Sequence, residues 1–503
     1  MPESRRFLFL LLAFSLSNPA SILAEEPQKD RITLSFKEGA VKVIENNLDI
    51  LIEKVSPRIA EENIARQEGA FDIEAFGSFK RQDSETPLSA RPSVAAGGLT
   101  SIKSEGYSLD AGLTGKTRIG TTYTLEARND WTAETLNRFE FEYVSFTGVT
   151  ITQPLLKNFG GNATELQINI ARKDRDISIN RLKGRVTDTL ADYGFAYWDL
   201  IRVREELRVR RESQRLAEAL FEINRKKFEA GSISAIEATQ AEAAASTRKD
   251  DVIVSEGAVR EKESVLKLLI SKDVFALKDK EIVPEGNGAI RPQVEPVEES
   301  VNTAIKLRPD YLEAKTGLEK NNIRIKYAEN QKFPKIDLEA SYGYNGLGTS
   351  LGRSYNNLDS NPEWSLGLVL RYPLGNRTAM GDLRAARLEA DQNVLRLKKI
   401  EQEIILNIDR AIKDIQAGTT RVEAAKVSTR LTEESLSAEE KKLAAGRSTT
   451  YNVLKVQEDL AKARLNEIAA ISDYNKALIR YHRERGTLLD ELGIRMKDTE
   501  VER

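Results

Sequence analysis

The sequence predicts a mainly helical protein with a membrane β-barrel, made by tandem duplication of one unit: helix, strands, long helical hairpin. Three observations carry this. Two proline-free tracts, Leu155–Val283 and Leu374–Arg503, run for 129 and 130 residues. Proline costs about 3 kcal/mol inside a helix, so tracts this long and this equal read as two helical hairpins. Each tract follows segments that alternate apolar and polar residues and end in aromatics, the pattern of barrel strands. Each tract also contains a related stretch, KKFEAGSISAIEATQAE at Lys226–Glu242 and KKLAAGRSTTYNVLKVQE at Lys441–Glu458, offset by 215 residues.

At the N-terminus, Arg5 and Arg6 precede the apolar run Phe7–Phe14, and Ser21-Ile22-Leu23-Ala24 offers a small-residue exit. Residues 1–24 therefore read as a secretory signal peptide. No later stretch reaches the about 20 apolar residues a spanning helix needs, so a membrane crossing by the rest of the chain has to be a barrel. The 503 residues are 31% charged with a net charge of −2, which gives no bulk attraction to nucleic acid. Cysteine is absent, which excludes disulfides, thiolate metal sites and an acylated N-terminal cysteine.

The first repeat is read as 25–282. It opens with a helix over Leu34–Gly69, and strands follow at Phe71–Lys80, Tyr107–Lys116, Thr121–Asn129 and Phe139–Gln153. Tyr107, Leu109, Ala111 and Leu113 alternate with Ser108, Asp110, Gly112 and Thr114. A descending helix over Asn162–Ala230 reaches a tip near Gly231. Pro284, Gly286, Gly288, Pro292 and Pro296 mark a linker over 283–298. The second repeat, 299–490, begins with a helix over Glu299–Gln331. Its strands lie within 336–372, around a Gly/Ser/Asn loop at Gly346–Pro362. Its descending arm covers Asn376–Ala445 and its tip lies near Gly446, with a charged tail over 491–503. The strands alone also fit a soluble antiparallel sheet.

Glycine followed by Ser or Thr marks the end of one helix and the cap of the next, so Gly231 and Gly446 each reverse a hairpin. At about 1.5 Å per residue each arm is on the order of 100 Å long. The 215-residue offset also superposes Ala196 on Ala411, Asp199 on Asp414 and Leu200 on Ile415. Chemistry-bearing groups are sparse. The one histidine, His482, is flanked by Tyr481, Arg483 and Glu484 and is expected to be a surface residue. Asp72, Asp199 and Asp414 read as ion-paired structure. With no phosphate-cradling loop, no Ser/His/Asp arrangement and no metal-ligand cluster in the sequence, no enzyme, cofactor or metal site is expected.

Over nearly all its mature length the chain resembles the TolC-like outer-membrane efflux proteins. The resemblance rests on Glu45-Asn46-Asn47-Leu48-Asp49, Gly69-Ala70-Phe71-Asp72, Gln153-Pro154-Leu155-Leu156, Arg308-Pro309-Asp310 and the two tips, in this order and duplicated. It implies a homotrimeric α/β channel-tunnel: strands shared in one barrel within outer-membrane lipid, and helices forming a periplasmic tube. A periplasmic adaptor (membrane fusion) protein would dock at Gly231, Ser232, Gly446, Arg447 and Ser448. An inner-membrane RND or ABC transporter would drive passage of a drug, metal ion or polypeptide. Glu237, Asn452 and Lys455 stand where an aperture is implied, and Pro154 and Pro373 stand at the strand-to-helix joints. The family's four strands per chain give a 12-strand barrel, and the six read here allow up to 18. The pair Tyr107–Lys116 and Thr121–Asn129 either joins the barrel or forms an extracellular extension, and the extension is the expected arrangement. The competing class is a secreted trimeric coiled-coil structural protein or adhesin.

Overall fold

The computed structural model describes residues 30–135, 141–286, 293–497 and 500–502. The expected leader and part of the expected linker lie outside the described residues. In chain order the first half holds β1 (Arg31–Leu34), α1 (Phe36–Asn46), α2 (Leu48–Glu53), α3 (Ser56–Glu68), β2 (Glu74–Pro87), α4 (Ala90–Ala95), β3 (Ser101–Lys116), β4 (Thr122–Glu134), β5 (Glu142–Pro154), α5 (Gly161–Thr164), α6 (Leu166–Glu229) and α7 (Ala235–Ile270). The second half holds β6 (Glu281–Pro284), α8 (Val297–Leu307), α9 (Pro309–Gln331), β7 (Lys335–Gly348), α10 (Leu351–Asn356), β8 (Pro362–Arg371), α11 (Arg377–Ala444), α12 (Thr450–Arg485), α13 (Leu488–Glu491), β9 (Arg495–Lys497) and β10 (Glu500–Glu502).

The duplication is legible in these bounds. The pairs α1/α8 and β2/β7 have equal lengths and an offset of 261, whereas α7/α12 are both 36 residues long at an offset of 215. The offset falls by 46 between β2 and α7, and that stretch contains β3 and β4, which have no counterpart in the second half. The sheet order is β2-β3-β4-β5-β7-β8, antiparallel throughout. The extra hairpin is not set apart from the sheet, as the extracellular extension expected from sequence would be: it is inserted between β2 and β5 as two full strands, so the protomer sheet has six strands where the resemblance implies four. The reason is local. The β3–β4 turn lies at the end of the sheet where the helices begin: the Gly160 N–H donates to the Ile119 carbonyl at 3.0 Å, and Arg118 pairs with Glu165 at 2.8 Å.

The helix expected over Leu34–Gly69 is a strand followed by three helices. Asn47 breaks it, because its side chain accepts from the N–H groups of Asp49 and Ile50 and so caps α2. Pro57 then sits in the first turn of α3. Pro309 divides the second helix in the same way, between α8 and α9. The linker begins with β6, which pairs in parallel with β1. Four-residue strands are too short to show a period, so sequence reading missed both.

The protomer's main core lies midway along α6, roughly 96 Å long at 1.5 Å per residue. Tyr193 and Tyr197 are fully buried one turn apart. Tyr193 donates to the Phe36 carbonyl at 3.0 Å, and Tyr197 to the carbonyls of Leu34 and Glu285 at 3.0 and 2.7 Å. These bonds fix the β1/β6 girdle to the helices. A side chain at Gly39 would collide with the Tyr193 hydroxyl, so α1 can lie this close only with glycine there.

Candidate functional site

The six-stranded sheet has two unlike faces. Cross-strand pairing places Ala75, Leu113, Leu125, Val149, Tyr342 and Trp364 in one row on one face. Leu109, Ile151, Leu338, Leu366, Leu368 and Leu370 share that face and are all exposed. The opposite face carries Ser78, Lys80, Asp110, Glu126, Arg128, Asp130, Glu339 and Ser365. An exposed apolar band on every strand, opposite a polar face, matches a wall between hydrocarbon and water. Toward the end of the sheet away from the helices, Phe79, Tyr107, Trp131, Phe141 and Tyr143 form a continuous aromatic run with ring centroids 5.0–6.4 Å apart. Aromatic belts of this kind mark the membrane–water boundary. The inserted strands β3 and β4 carry both the band and the belt.

At the helix end of the sheet, Pro154 closes the β5 ladder and is buried, while Pro373 is exposed just beyond β8. Each is followed by an asparagine with positive φ, Asn158 at 66° and Asn376 at 38°. Short polar side chains tolerate that conformation, and both are held by α9. Asn158 accepts from Gln331 at 2.8 Å, and Asn376 donates to the Lys332 carbonyl at 3.0 Å. Sequence reading found the prolines and missed the asparagines that make the bend.

The far ends of the helices are two nearly identical turns. Gly231 and Gly446 have φ of 69° and 70°. The Ser232 N–H donates to the Lys227 carbonyl and the Arg447 N–H to the Lys442 carbonyl, both at 2.8 Å. The Gly231 and Gly446 N–H groups reach Phe228 and Leu443. This is the Schellman closure of a helix, which needs a left-handed residue at each glycine. A Cβ there would meet nothing within 4 Å, so backbone conformation rather than crowding selects glycine. A buried hydrogen bond from Asn224 to Thr450, 3.0 Å long, joins α6 to the start of α12 and holds the two tips together.

The remaining sequence candidates sort as follows. Glu237 and Asn452 occupy the same third position of α7 and α12, each against the N-cap residue of its helix. Ser234 donates to Glu237 at 3.4 Å, and the Asn452 N–H donates to Thr449 at 3.4 Å. Ser448 donates to Glu439, which also pairs with Lys442 at 3.0 Å. These contacts hold the Glu439 carboxyl below its ordinary pKa, the Ser448 hydrogen bond first and Lys442 second. Ser232, Arg447 and Lys455 are exposed. Asp199 pairs with Lys476, and Asp414 with Arg480 at 3.2 Å.

A charged cluster that sequence reading noted only as a motif sits where α8 meets α9. Arg308 donates to Asp310 at 3.0 and 2.7 Å, to the Glu484 carboxylate at 2.6 Å and to the Glu484 carbonyl at 3.1 Å. It thereby satisfies a carbonyl at the end of α12. Burial pushes the Asp310 carboxyl up, but its bonds and charge interaction with Arg308 outweigh this and hold it below the ordinary value.

The outer membrane efflux protein family matches residues 119–271 and 301–481. Nodulation protein T of Rhizobium leguminosarum bv. trifolii is 23% identical over 260 residues, 51% of this chain and 54% of that protein, so the match spans about half the relative's length. A membrane protein of Pseudomonas aeruginosa superposes with a TM-score of 0.68 at 16% identity, covering 94% of this chain and 97% of its own. The CmeC outer membrane channel of Campylobacter jejuni superposes at 0.65 with 14% identity, covering 96% and 94%. These likenesses establish a shared fold, and the family match, which covers well over half of the 503 residues, establishes that the chain belongs to the outer membrane efflux protein family.

Proposed function

We propose that three copies of the chain form a passive exit channel: one shared barrel across the outer membrane, continued by a helical tube through the periplasm. The observation that carries this is the open sheet. Its apolar face is exposed, its edge strands β2 and β8 each keep one edge unpaired among the described residues, and its strands feed helices on the order of 100 Å long. Open edges and an exposed apolar band favour pairing with further copies within lipid. The outer helices agree. Leu388, Leu395, Leu406 and Leu431 of α11 and Ile253, Val254 and Leu268 of α7 are all exposed, which suits packing of α11 from one copy against α7 of the next.

In this reading the tips around Gly231, Ser232, Gly446, Arg447 and Ser448 receive a periplasmic adaptor, which links the tube to an inner-membrane transporter of the RND or ABC class. Glu237, Asn452 and Lys455 then stand near the tube's mouth. Two measurements test it. The protein should leave the outer-membrane fraction only with detergent; release as a soluble rod would favour the adhesin class instead. Arg447→Glu should abolish export with trimers intact, since the side chain is exposed and no turn bond depends on it. Normal export by that variant would overturn the docking assignment.

A further inference from the structure

We infer that β3 and β4 are wall strands of an 18-strand barrel, in which β8 of one copy pairs with β2 of the next. The inference rests on the trimeric reading above and goes beyond it by assigning the width of the pore and the register of closure.

The protomer sheet already has the stagger such a barrel needs. One row of paired residues runs Glu74–Thr114–Thr124–Thr150–Ser341–Ser365. It starts at the base of β2 and ends six residues above the base of β8 at Arg371. Counting the level step from β8 to the next copy, six strand spacings in all, the row climbs on average one residue per strand. With about 3.3 Å per residue and about 4.8 Å between strands, this is a tilt of about 35°, within the range that closed barrels use.

The two free edges also fit each other. β2 runs away from the helices and β8 runs back toward them, so joining copies edge to edge keeps the sheet antiparallel. Setting Arg371 opposite Glu74 of the next copy preserves the one-residue climb around the ring. It also places opposite charges together on the polar face. On the apolar face the same register sets Leu370 against Ala75, Leu368 against Gly77, Leu366 against Phe79 and Trp364 against Arg81. Two leucines meet the small Ala75 and Gly77, Leu366 meets the Phe79 ring, and a guanidinium meets an indole. A slip of one residue would turn one strand's apolar set to the polar side.

Barrel diameter grows roughly linearly with strand number, so the pore is about one and a half times as wide as a barrel built from four strands per copy. Closure without β3 and β4 would leave Leu109, Leu113 and Leu125, all exposed, outside the hydrocarbon.

Single-particle imaging of the detergent-extracted full chain tests this. A three-copy particle with 18 wall strands supports it. A three-copy particle with 12 strands and the β3–β4 hairpin off the wall overturns it and leaves the channel reading standing. A particle without a barrel overturns both. A second measurement uses the cysteine-free background. A nitroxide on Leu125→Cys in membranes should match one on Leu366→Cys, reached by oxygen and shielded from an aqueous nickel chelate. Full exposure of the Leu125→Cys label to the chelate would overturn the assignment. For the register, trimers carrying Ser78→Cys with Gly367→Cys should join into linked dimers and trimers with a short bismaleimide, and failure to link in assembled trimers would overturn it.

Discussion

The helices α6 and α11 descend from the same ancestral arm, yet they are solvated differently. α6 has 64 residues, of which 21 are buried, while α11 has 68, of which nine are buried. α6 lies between α7 and α12 below the core and against α3 and α9 above it, whereas α11 lies beside α12, α8 and α9 with one side open. A helix that is central within one chain can hold its hydrophobic positions as a core. A helix at the edge keeps apolar residues such as Leu388 and Leu395 uncovered until another copy arrives. The duplication therefore conserved length and turns while dividing two tasks, protomer folding and assembly.

The largest loss of protomer stability should come from the α6 side. Leu190→Ala removes a fully buried side chain and should cost about 2–5 kcal/mol in denaturant melts. A change below 1 kcal/mol would mean α6 is not the folding centre. Next is Arg308→Ala, which strands Glu484 and the α12 terminus. Breaking a buried pair of this kind should cost on the order of 3 kcal/mol. The pH dependence follows from Asp310. Its folded pKa is depressed, so its contribution is complete above the ordinary carboxylate value, near 3.9, and is lost as pH falls through the lower folded value. Asp310→Asn should flatten that acid limb in melts followed from pH 6 downward.

Asn224→Ala should cost about 1–3 kcal/mol by orphaning the buried Thr450 hydroxyl, and hydrogen exchange should rise at the tips before the core. Gly231→Ala and Gly446→Ala should each cost about 1–2 kcal/mol, because left-handed backbone is the whole penalty where the added methyl meets open space. Unequal values would show that the two turns are not equivalent. The smallest protomer effect belongs to the open side of α11. Leu388→Glu with Leu395→Glu should change protomer stability by less than about 0.5 kcal/mol per site and still prevent assembly, read by native mass spectrometry.

Much of this organisation was legible in the sequence because long-range features leave long signals. Absence of proline over 129 residues, a repeat offset of 215 and a glycine followed by Ser or Thr are each visible without contacts. The expected arms, Asn162–Ala230 and Asn376–Ala445, differ from α6 and α11 by only a few residues. What escaped were pairings. The alternation in Tyr107–Lys116 identifies a strand but not its neighbours, so the place of the hairpin between β2 and β5 depended on register. Strands β1 and β6 are four residues each and 250 residues apart in pairing, as at Arg31 and Glu281. Asn158 and Asn376 carry no sequence mark beyond tolerance of positive φ. Glu237 and Asn452 were legible as a matched pair because both lie just past a tip, at the third position of α7 and α12.

Copy number in the detergent-extracted particle bears most directly on whether this open sheet and half-covered α11 belong to a shared channel. Native mass spectrometry of the intact chain should return three copies, with no stable single-chain species until the α11 face is altered. A stable single chain with the unaltered sequence would contradict the shared barrel and leave the exposed band, the free strand edges and the bare side of α11 without their partner.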